Sequence, residues 1–212
     1  MSQGVKVLKH DEMSSLVNGL SFMTKYSSSP SYAVDSPGSG NSKKLVDHTQ
    51  TGFPKLLVSC GSGVSIIKVN DFSSYERVAG TMIGGGTLLG LSNLLTGVRD
   101  FDTIIKMAQE GDNANVDMLV KDIYGENSPF KDLQGDLLAS SFAKVAADQT
   151  ESKEGQQSGH LKERYNKNDI LNSLVTMISF NIGQLACGTA KLHNINEIYF
   201  VGSYVRDNIL AQ

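Results

Sequence analysis

One stretch in the first half of this 212-residue chain constrains the fold more than any other. It begins with three short apolar runs at 55–59, 64–69 and 75–79, separated by segments rich in Gly, Ser and Asn. Runs of this length between turn residues predict β-strands joined by tight turns. A glycine-rich turn follows at 84–87, and an apolar segment then ends at Gly97, which predicts a helix with a glycine C-cap. This order of elements predicts an α/β core.

Helical periodicity surrounds this stretch on both sides. Apolar residues recur at helical spacing over 5–26, where Asp11 is a candidate N-cap, and over 169–190, where they form a wide stripe. The remaining predicted elements are shorter helices at 101–109, 115–124 and 137–147 and a buried strand at 198–201.

Polar composition divides the chain. Residues 27–44 carry Pro30 and Pro37 among Ser and Gly, which predicts a mobile loop or linker, and 148–167 has the composition of a surface loop. The sequence therefore predicts a helical segment at 1–26, a flexible linker or loop at 27–52 and an α/β domain at 53–212.

Charge and composition exclude several classes of protein. The chain is 40% hydrophobic with a net charge of −3, so it has no electrostatic reason to bind nucleic acid or an anionic membrane. It has no apolar run of 18 residues and no apolar core of a secretory signal near Met1, so we expect a cytoplasmic or nuclear protein. The spacing of Cys60 and Cys187 suggests no metal site, and we expect two buried thiols.

The glycine-rich turn is the first candidate for chemistry. Its residues are Gly84, Gly85, Gly86 and Thr87. Backbone N–H groups at the start of a helix can approach an oxyanion closely, and a threonine hydroxyl adds a donor. The turn lacks the Gly-Lys-Ser/Thr of a P-loop and the pattern of a Rossmann loop. A phosphate cradle and an ordinary glycine-rich bend both fit the residues alone.

The hairpin turn before it is the second candidate. Ser62 and Ser65 flank a tight turn and could bond a small polar ligand, although an ordinary Ser-Gly hairpin fits equally. A hydrolase elbow is excluded, because Gly-x-Ser-x-Gly would need glycine at Cys60 or Val64. Asp112 and Asp117 stand in helix-start contexts and are expected to act as caps.

Two weaker candidates complete the set. Arg77, on the third predicted strand, could clamp a carboxylate or phosphate, or it could belong to a solvated face. Gly202 and Ser203 follow the last strand, where a nucleotide base could lie against the backbone or where a plain β-to-α turn would suffice.

Together and in order, these motifs resemble the carboxy-terminal part of the eukaryotic-type (type II) pantothenate kinases, which belong to the actin, Hsp70 and sugar kinase superfamily. The resemblance covers residues from 53 to about 212. Its matching segments are 61–66, 75–81, 84–91, 94–97, 117–125, 139–142, 181–183 and 200–202.

The resemblance implies a ribonuclease-H-like lobe, a mixed sheet with flanking helices, that is incomplete at both ends. It implies transfer of the ATP γ-phosphoryl group to the 4′-hydroxyl of pantothenate, a step of coenzyme A biosynthesis in which Mg²⁺ neutralises charge. It further implies acetyl-CoA as a feedback inhibitor and a homodimer in the complete protein.

The matching positions carry implied roles. By resemblance, Ser62, Ser65 and Arg77 contact pantothenate or acetyl-CoA. The glycine-rich turn matches an ATP phosphate loop, while Gly202 and Ser203 fall in the adenosine motif. We therefore expect the turn's amides, the two hydroxyls and the guanidinium to converge on one anionic ligand.

Two departures from the family pattern stand out. Ser203 replaces the asparagine of the family's Phe-Val-Gly-Asn motif, so we expect weaker adenine contacts. The chain also contains no Asp-x-Gly-Gly-Thr/Ser loop and no segment matching the family's catalytic glutamate. We therefore assign no catalytic residue and expect the chain alone to be nearly inactive. The alternative is an inactive module that binds acyl-CoA or nucleotide, or a partner subunit of an intact kinase.

Overall fold

The computed structural model describes residues 7–26, 31–34, 43–46, 52–125, 134–148 and 164–206. The helices are α1 (Glu12–Tyr26), α2 (Gly85–Thr96), α3 (Phe101–Gln109), α4 (Val120–Tyr124), α5 (Ala143–Ala147) and α6 (Lys167–Leu192), with a 3₁₀ turn at Asn113–Asn115. The strands are β1 (Tyr32–Val34), β2 (Lys43–Leu45), β3 (Lys55–Cys60), β4 (Val64–Val69), β5 (Tyr75–Thr81), β6 (Met118–Leu119), β7 (Leu138–Ser140) and β8 (Ile198–Val201).

The central sheet has the strand order β5-β4-β3-β8. The β3, β4 and β5 strands form an antiparallel meander, because short turns join them, whereas β8 pairs parallel to β3 after the intervening helices have crossed one face of the sheet. An α/β domain with a mixed sheet and flanking helices is thus confirmed, and this strand order agrees with a ribonuclease-H-like lobe.

Each face of the sheet is covered by helices. Alternate side chains of β3 and β4, such as Val58 and Ile66, pack against α2, α3 and α6 in the larger core. The intervening side chains, Leu57 and Ile67 among them, pack against Val17 of α1 in a smaller core. The predicted boundary at residue 53 therefore separates two parts of the chain that share a core.

The α6 helix is long and apolar enough to cross a membrane by length and composition, with a mean hydropathy of 1.4 over 18 residues. Half of that window is buried inside the protein, and the helix packs against α2 and α3. Residues such as Leu171, Leu174 and Ile178 are fully or almost fully buried in the core. We therefore interpret α6 as the core helix of the α/β domain.

Several local predictions are confirmed at the ends of helices. The Asp11 carboxylate accepts the backbone N–H of Ser14 at 2.8 Å, which caps α1. At the end of α2, Gly97 has a φ of 80° and donates its N–H to the Asn93 carbonyl at 3.0 Å.

Most of the predicted linker or loop at 27–52 lies outside the described residues, and its flexibility stays a prediction; within it, β1 pairs antiparallel with β2, so Tyr32 lies opposite Leu45. Two helix predictions are wrong in their first residues. The predicted helices at 115–124 and 137–147 instead contain the paired strands β6 and β7 before short helices begin. Most of the predicted surface loop at 148–167 lies outside the described residues.

Asp117 explains the extended backbone near β6 and β7. Its side chain is fully buried, and its carboxylate accepts hydrogen bonds from Ser173 Oγ at 2.5 Å, Phe142 N–H at 2.8 Å and Asn113 Nδ2 at 2.8 Å. The prediction that Asp117 caps a helix is therefore wrong. Asp112 does cap the 3₁₀ turn, by accepting the N–H of Ala114 at 2.9 Å.

The two cysteines differ in burial. Cys60 at the end of β3 is fully buried, as predicted, whereas Cys187 on α6 is exposed, so the expectation of a second buried thiol is wrong. Cys187 lies between the buried residues Ala186 and Thr189, on the exposed surface of α6.

Candidate functional site

The turn between β3 and β4 organises the site. The last pair of the two strands is Cys60 with Val64, and the Gly61 N–H closes the turn by donating to the Gly63 carbonyl at 2.9 Å. This register places Ser59 directly opposite Ser65. Because side chains alternate along a strand, both serines project to the face that α1 covers.

An open cavity of about 530 Å³ lies beside this turn. Its lining residues are Glu12, Ser59, Gly61, Ser62, Gly63, Val64, Ser65, Arg77, Gly80, Thr81 and Met82. The structure therefore brings together Ser62, Ser65 and Arg77, the three residues to which the family resemblance gives contact with pantothenate or acetyl-CoA.

The charges and donors of this cavity define its chemistry. Arg77 is the cation and Glu12 the carboxylate among the lining residues, and the Arg77 Nε–H donates to Ser65 Oγ at 3.3 Å. The other polar side chains are serine and threonine hydroxyls. Such a set suits a small polar ligand that carries an anionic or carbonyl oxygen together with hydroxyl or amide groups.

The glycine-rich turn packs tightly on the opposite side of the same hairpin turn. The Gly85 N–H donates to the Gly61 carbonyl and the Gly86 N–H to the Ser62 carbonyl, each at 2.9 Å. A Cβ at Gly84 would lie 2.8 Å from the Ser62 carbonyl oxygen, and a Cβ at Gly85 would lie 2.9 Å from that of Gly61. Glycine is required here because two backbones meet.

This packing changes the expectation of a single convergent site. The amides of Gly85 and Gly86 are bonded within the protein, and the Thr87 hydroxyl donates to the Met82 carbonyl at 3.1 Å. The residues from Gly84 to Thr87 are not among those lining the described cavity. The structure thus uses the amides of Gly85 and Gly86 in packing, and their convergence with Arg77 on one ligand and ATP binding at the turn both stay predictions.

Gly202 and Ser203 lie at the same edge of the sheet. Gly202 follows β8 with a φ of 112°, and a Cβ there would overlap the Cys60 carbonyl oxygen. That carbonyl accepts the N–H of Tyr204 at 3.2 Å. Both Gly202 and Ser203 are exposed where the parallel strands β3 and β8 end, which is the edge where open α/β sheets bind ligands. Their contact with adenosine stays a prediction.

Sequence reasoning missed part of the cavity. Ser59 could have been found, because a three-residue turn closing the pair Cys60–Val64 fixes its position opposite Ser65. Glu12 could not, because the sequence holds no pattern that tells where α1 docks. The remaining lining residues, Gly80, Thr81 and Met82, follow Arg77 on the same strand and its end.

Comparisons with known proteins point to one family. The family model described as Fumble matches residues 1–212. The pantothenate kinase of Schizosaccharomyces pombe is 37% identical over 210 residues, which are 97% of this chain and 49% of that protein. Pantothenate kinase 1 of Arabidopsis thaliana is 40% identical over 206 residues, 96% of this chain and 50% of that protein.

A relative with a different name is similar to the same degree. The 4′-phosphopantetheine phosphatase of Mus musculus is 40% identical over 202 residues, 95% of this chain and 23% of that protein. The chain thus spans about half or less of the length of these relatives. The crystal structure of xylulose kinase from Bifidobacterium adolescentis superposes with a TM-score of 0.42 and 15% identity, covering 76% of this chain and 31% of that one.

Proposed function

The chain belongs to the Fumble family of pantothenate kinases, and we propose that its α/β domain holds pantothenate, or the matching part of an acyl-CoA, in the cavity beside Arg77. The observation that carries this proposal is the grouping of Ser62, Ser65 and Arg77 around one open cavity. A guanidinium offers paired donors to a carboxylate or carbonyl, and the serine hydroxyls suit the hydroxyl and amide groups of pantothenate.

The names of the relatives support the assignment of this cavity to pantothenate, the phosphate acceptor, rather than to the nucleotide. Pantothenate and 4′-phosphopantetheine share the pantoyl-β-alanyl group, although one name describes phosphorylation and the other dephosphorylation. The segment common to both proteins covers nearly all of this chain. We infer that this segment recognises the shared group.

In the reaction proposed for the complete kinase, the γ-phosphoryl group of ATP passes to the 4′-hydroxyl of pantothenate, with Mg²⁺ neutralising the phosphate charge. Arg77 and the serines bind and orient the acceptor. A guanidinium and serine hydroxyls are not bases near neutral pH, so we propose that these residues position the substrate without accepting its proton. ATP contact at Gly84–Thr87 and Gly202–Ser203, inhibition by acetyl-CoA, a homodimer and a cytoplasmic location are parts of the same proposal.

Calorimetry on the 212-residue chain tests this function. We expect heat of binding from pantothenate and acetyl-CoA, and weaker binding of pantothenyl alcohol, which lacks the carboxylate that Arg77 would bind. Pantothenate and its alcohol binding equally would contradict the assignment of Arg77. An assay of ATP-dependent phosphorylation of pantothenate, run beside it, is expected to show little turnover.

The alternative is a binding module without kinase activity. It is favoured by the similarity to a protein named as a phosphatase. Such a module would bind acyl-CoA or nucleotide yet add no turnover when mixed with an intact kinase of the family. An increase in turnover in the mixture would instead indicate a partner subunit.

A further inference from the structure

The β5 strand carries an irregularity that decides where Arg77 points. Ala79 lies opposite Ile66 and Arg77 opposite Ile67, so Val78 is an extra residue without a partner on β4. A β-bulge of this kind shifts the alternation of side chains by one position. Arg77 and Gly80 are three residues apart and would face opposite sides of a regular strand, yet both line the cavity.

Gly80 leaves the space that the guanidinium occupies. A Cβ at position 80 would overlap Arg77 Nη2 and would lie 3.0 Å from Arg77 Cζ. It would also lie 2.6 Å from the carbonyl oxygen of Val64. The Arg77 side chain therefore lies across Gly80, while its Nε–H reaches Ser65, the residue directly opposite Gly80 on β4.

We propose that Gly80 and the bulge at Val78 together position the Arg77 guanidinium in the cavity. The bulge turns Arg77 toward the cavity, Gly80 lets the guanidinium lie flat on the strand, and Ser65 holds its Nε, so that the outer nitrogens are presented to a ligand carboxylate or carbonyl. Gly80 is a positioning residue that acts through Arg77. The identity of the ligand rests on the proposed function, but the position of the guanidinium does not.

The variant Gly80→Ala tests whether Gly80 positions Arg77, and Gly90→Ala is its control. Gly90 lies on α2, and a Cβ added there would have no neighbouring atom within 4 Å, so alanine fits without contact. We expect Gly80→Ala to weaken binding of pantothenate or acetyl-CoA at least tenfold and Gly90→Ala to leave it unchanged. Equal affinity of Gly80→Ala and the original chain would overturn the proposal.

The same substitution in an Arg77→Lys background separates positioning from a general effect on the fold. Lysine keeps the charge but has no Nη2 or Cζ atom over Gly80. We expect Gly80→Ala to cost much less affinity in this background. An equal loss in both backgrounds would show that the contact with the Val64 carbonyl, rather than with Arg77, is decisive, and would overturn the proposal. If Gly80→Ala fails to fold, Ser65→Ala, which removes the acceptor of the Arg77 Nε–H, takes its place, and unchanged affinity together with an unchanged Nε–H resonance in that variant overturns the proposal.

A measurement without ligand keeps this test independent of the proposed function. In the ¹⁵N-labelled chain, the Nε–H resonance of Arg77, identified by its loss in Arg77→Lys, is expected to shift and exchange faster in Gly80→Ala but not in Gly90→Ala. An unchanged resonance overturns the positioning proposal. A shifted resonance in a chain that binds neither pantothenate nor acetyl-CoA supports the positioning and contradicts the proposed function.

Discussion

The two sides of the turn between β3 and β4 use their polar groups in opposite ways. On the cavity side, Ser65 and Arg77 bond to each other beside open space. On the other side, the N–H groups of Gly85 and Gly86 donate hydrogen bonds to backbone carbonyls of the turn. These bonds hold the start of α2 against the turn. A glycine-rich motif can therefore match a phosphate loop and still serve packing, whereas the ligand-facing groups are side chains.

The largest effect is expected on the packed side. Gly85→Val would bring side-chain atoms onto the Gly61 carbonyl, whose oxygen lies 2.9 Å from the position of a Cβ. We expect the free energy of unfolding in urea to fall by about 3 kcal/mol. Gly90→Val, on the same helix but in open space, is the control and is expected to be nearly neutral. Similar unfolding curves for the two variants would remove the distinction between the sides.

On the cavity side, Arg77→Ala is expected to lower ligand affinity without lowering the stability of the fold. Because the residue is exposed, its loss leaves the unfolding midpoint unchanged, but affinity for pantothenate or acetyl-CoA falls by about 1.5–3 kcal/mol, roughly 10- to 150-fold. Lys68→Ala removes a cation on the neighbouring strand that pairs with Glu76 at 3.6 Å outside the cavity. This control is expected to keep full affinity. An equal loss of affinity in both variants would mean that any nearby positive charge supports binding, and that Arg77 makes no specific contact with the ligand.

The elements that sequence predicted well are those determined by neighbouring residues. The meander, the helix caps at Asp11 and Gly97 and the bounds of α3 depend on local periodicity and capping. The proximity of Ser62, Ser65 and Arg77 follows from the same locality, because short turns pair the neighbouring strands, whereas the bulge at Val78 that shifts the register of β5 was not predicted.

What sequence could not predict depends on distant residues. The helical pattern at 115–124 is overridden because Asp117 bonds Ser173, 56 positions away, and Phe142, 25 positions away. The presence of Glu12 in the cavity depends on how α1 docks. The packing of the glycine-rich turn was not predicted either, because a motif shows which amides exist, not which carbonyls already accept from them.

A smaller effect is expected from Ser65→Ala. The change removes the hydroxyl that accepts the Arg77 Nε–H at 3.3 Å, so the guanidinium loses one restraint while its charge remains. We expect calorimetry to show a loss of affinity of about 1 kcal/mol, close to fivefold. Ser15→Ala, which removes an exposed hydroxyl bonded to the Asp11 carbonyl on α1, is the control. A loss as large as that of Arg77→Ala would mean that the Ser65 hydroxyl contributes as much to binding as the guanidinium does, and would contradict its smaller part in holding Arg77.

The smallest effect concerns Cys60, the fully buried last residue of β3, directly before the turn. Burial raises the pKa of its thiol from 9.0 to about 11. Below pH 9 the folded and unfolded chains both keep this proton, so its contribution to stability is constant there. Between pH 9 and pH 11 the unfolded chain releases the proton while the folded chain keeps it, so the free energy of unfolding falls as pH rises.

Urea titrations between pH 9 and pH 11 should show a shallower decline in the free energy of unfolding for Cys60→Ala than for the original chain, while the exposed Cys187→Ala should not differ from the original chain. An identical slope in Cys60→Ala would mean that water reaches the end of β3 and that the turn is less tightly closed on its packed side than the backbone hydrogen bonds indicate.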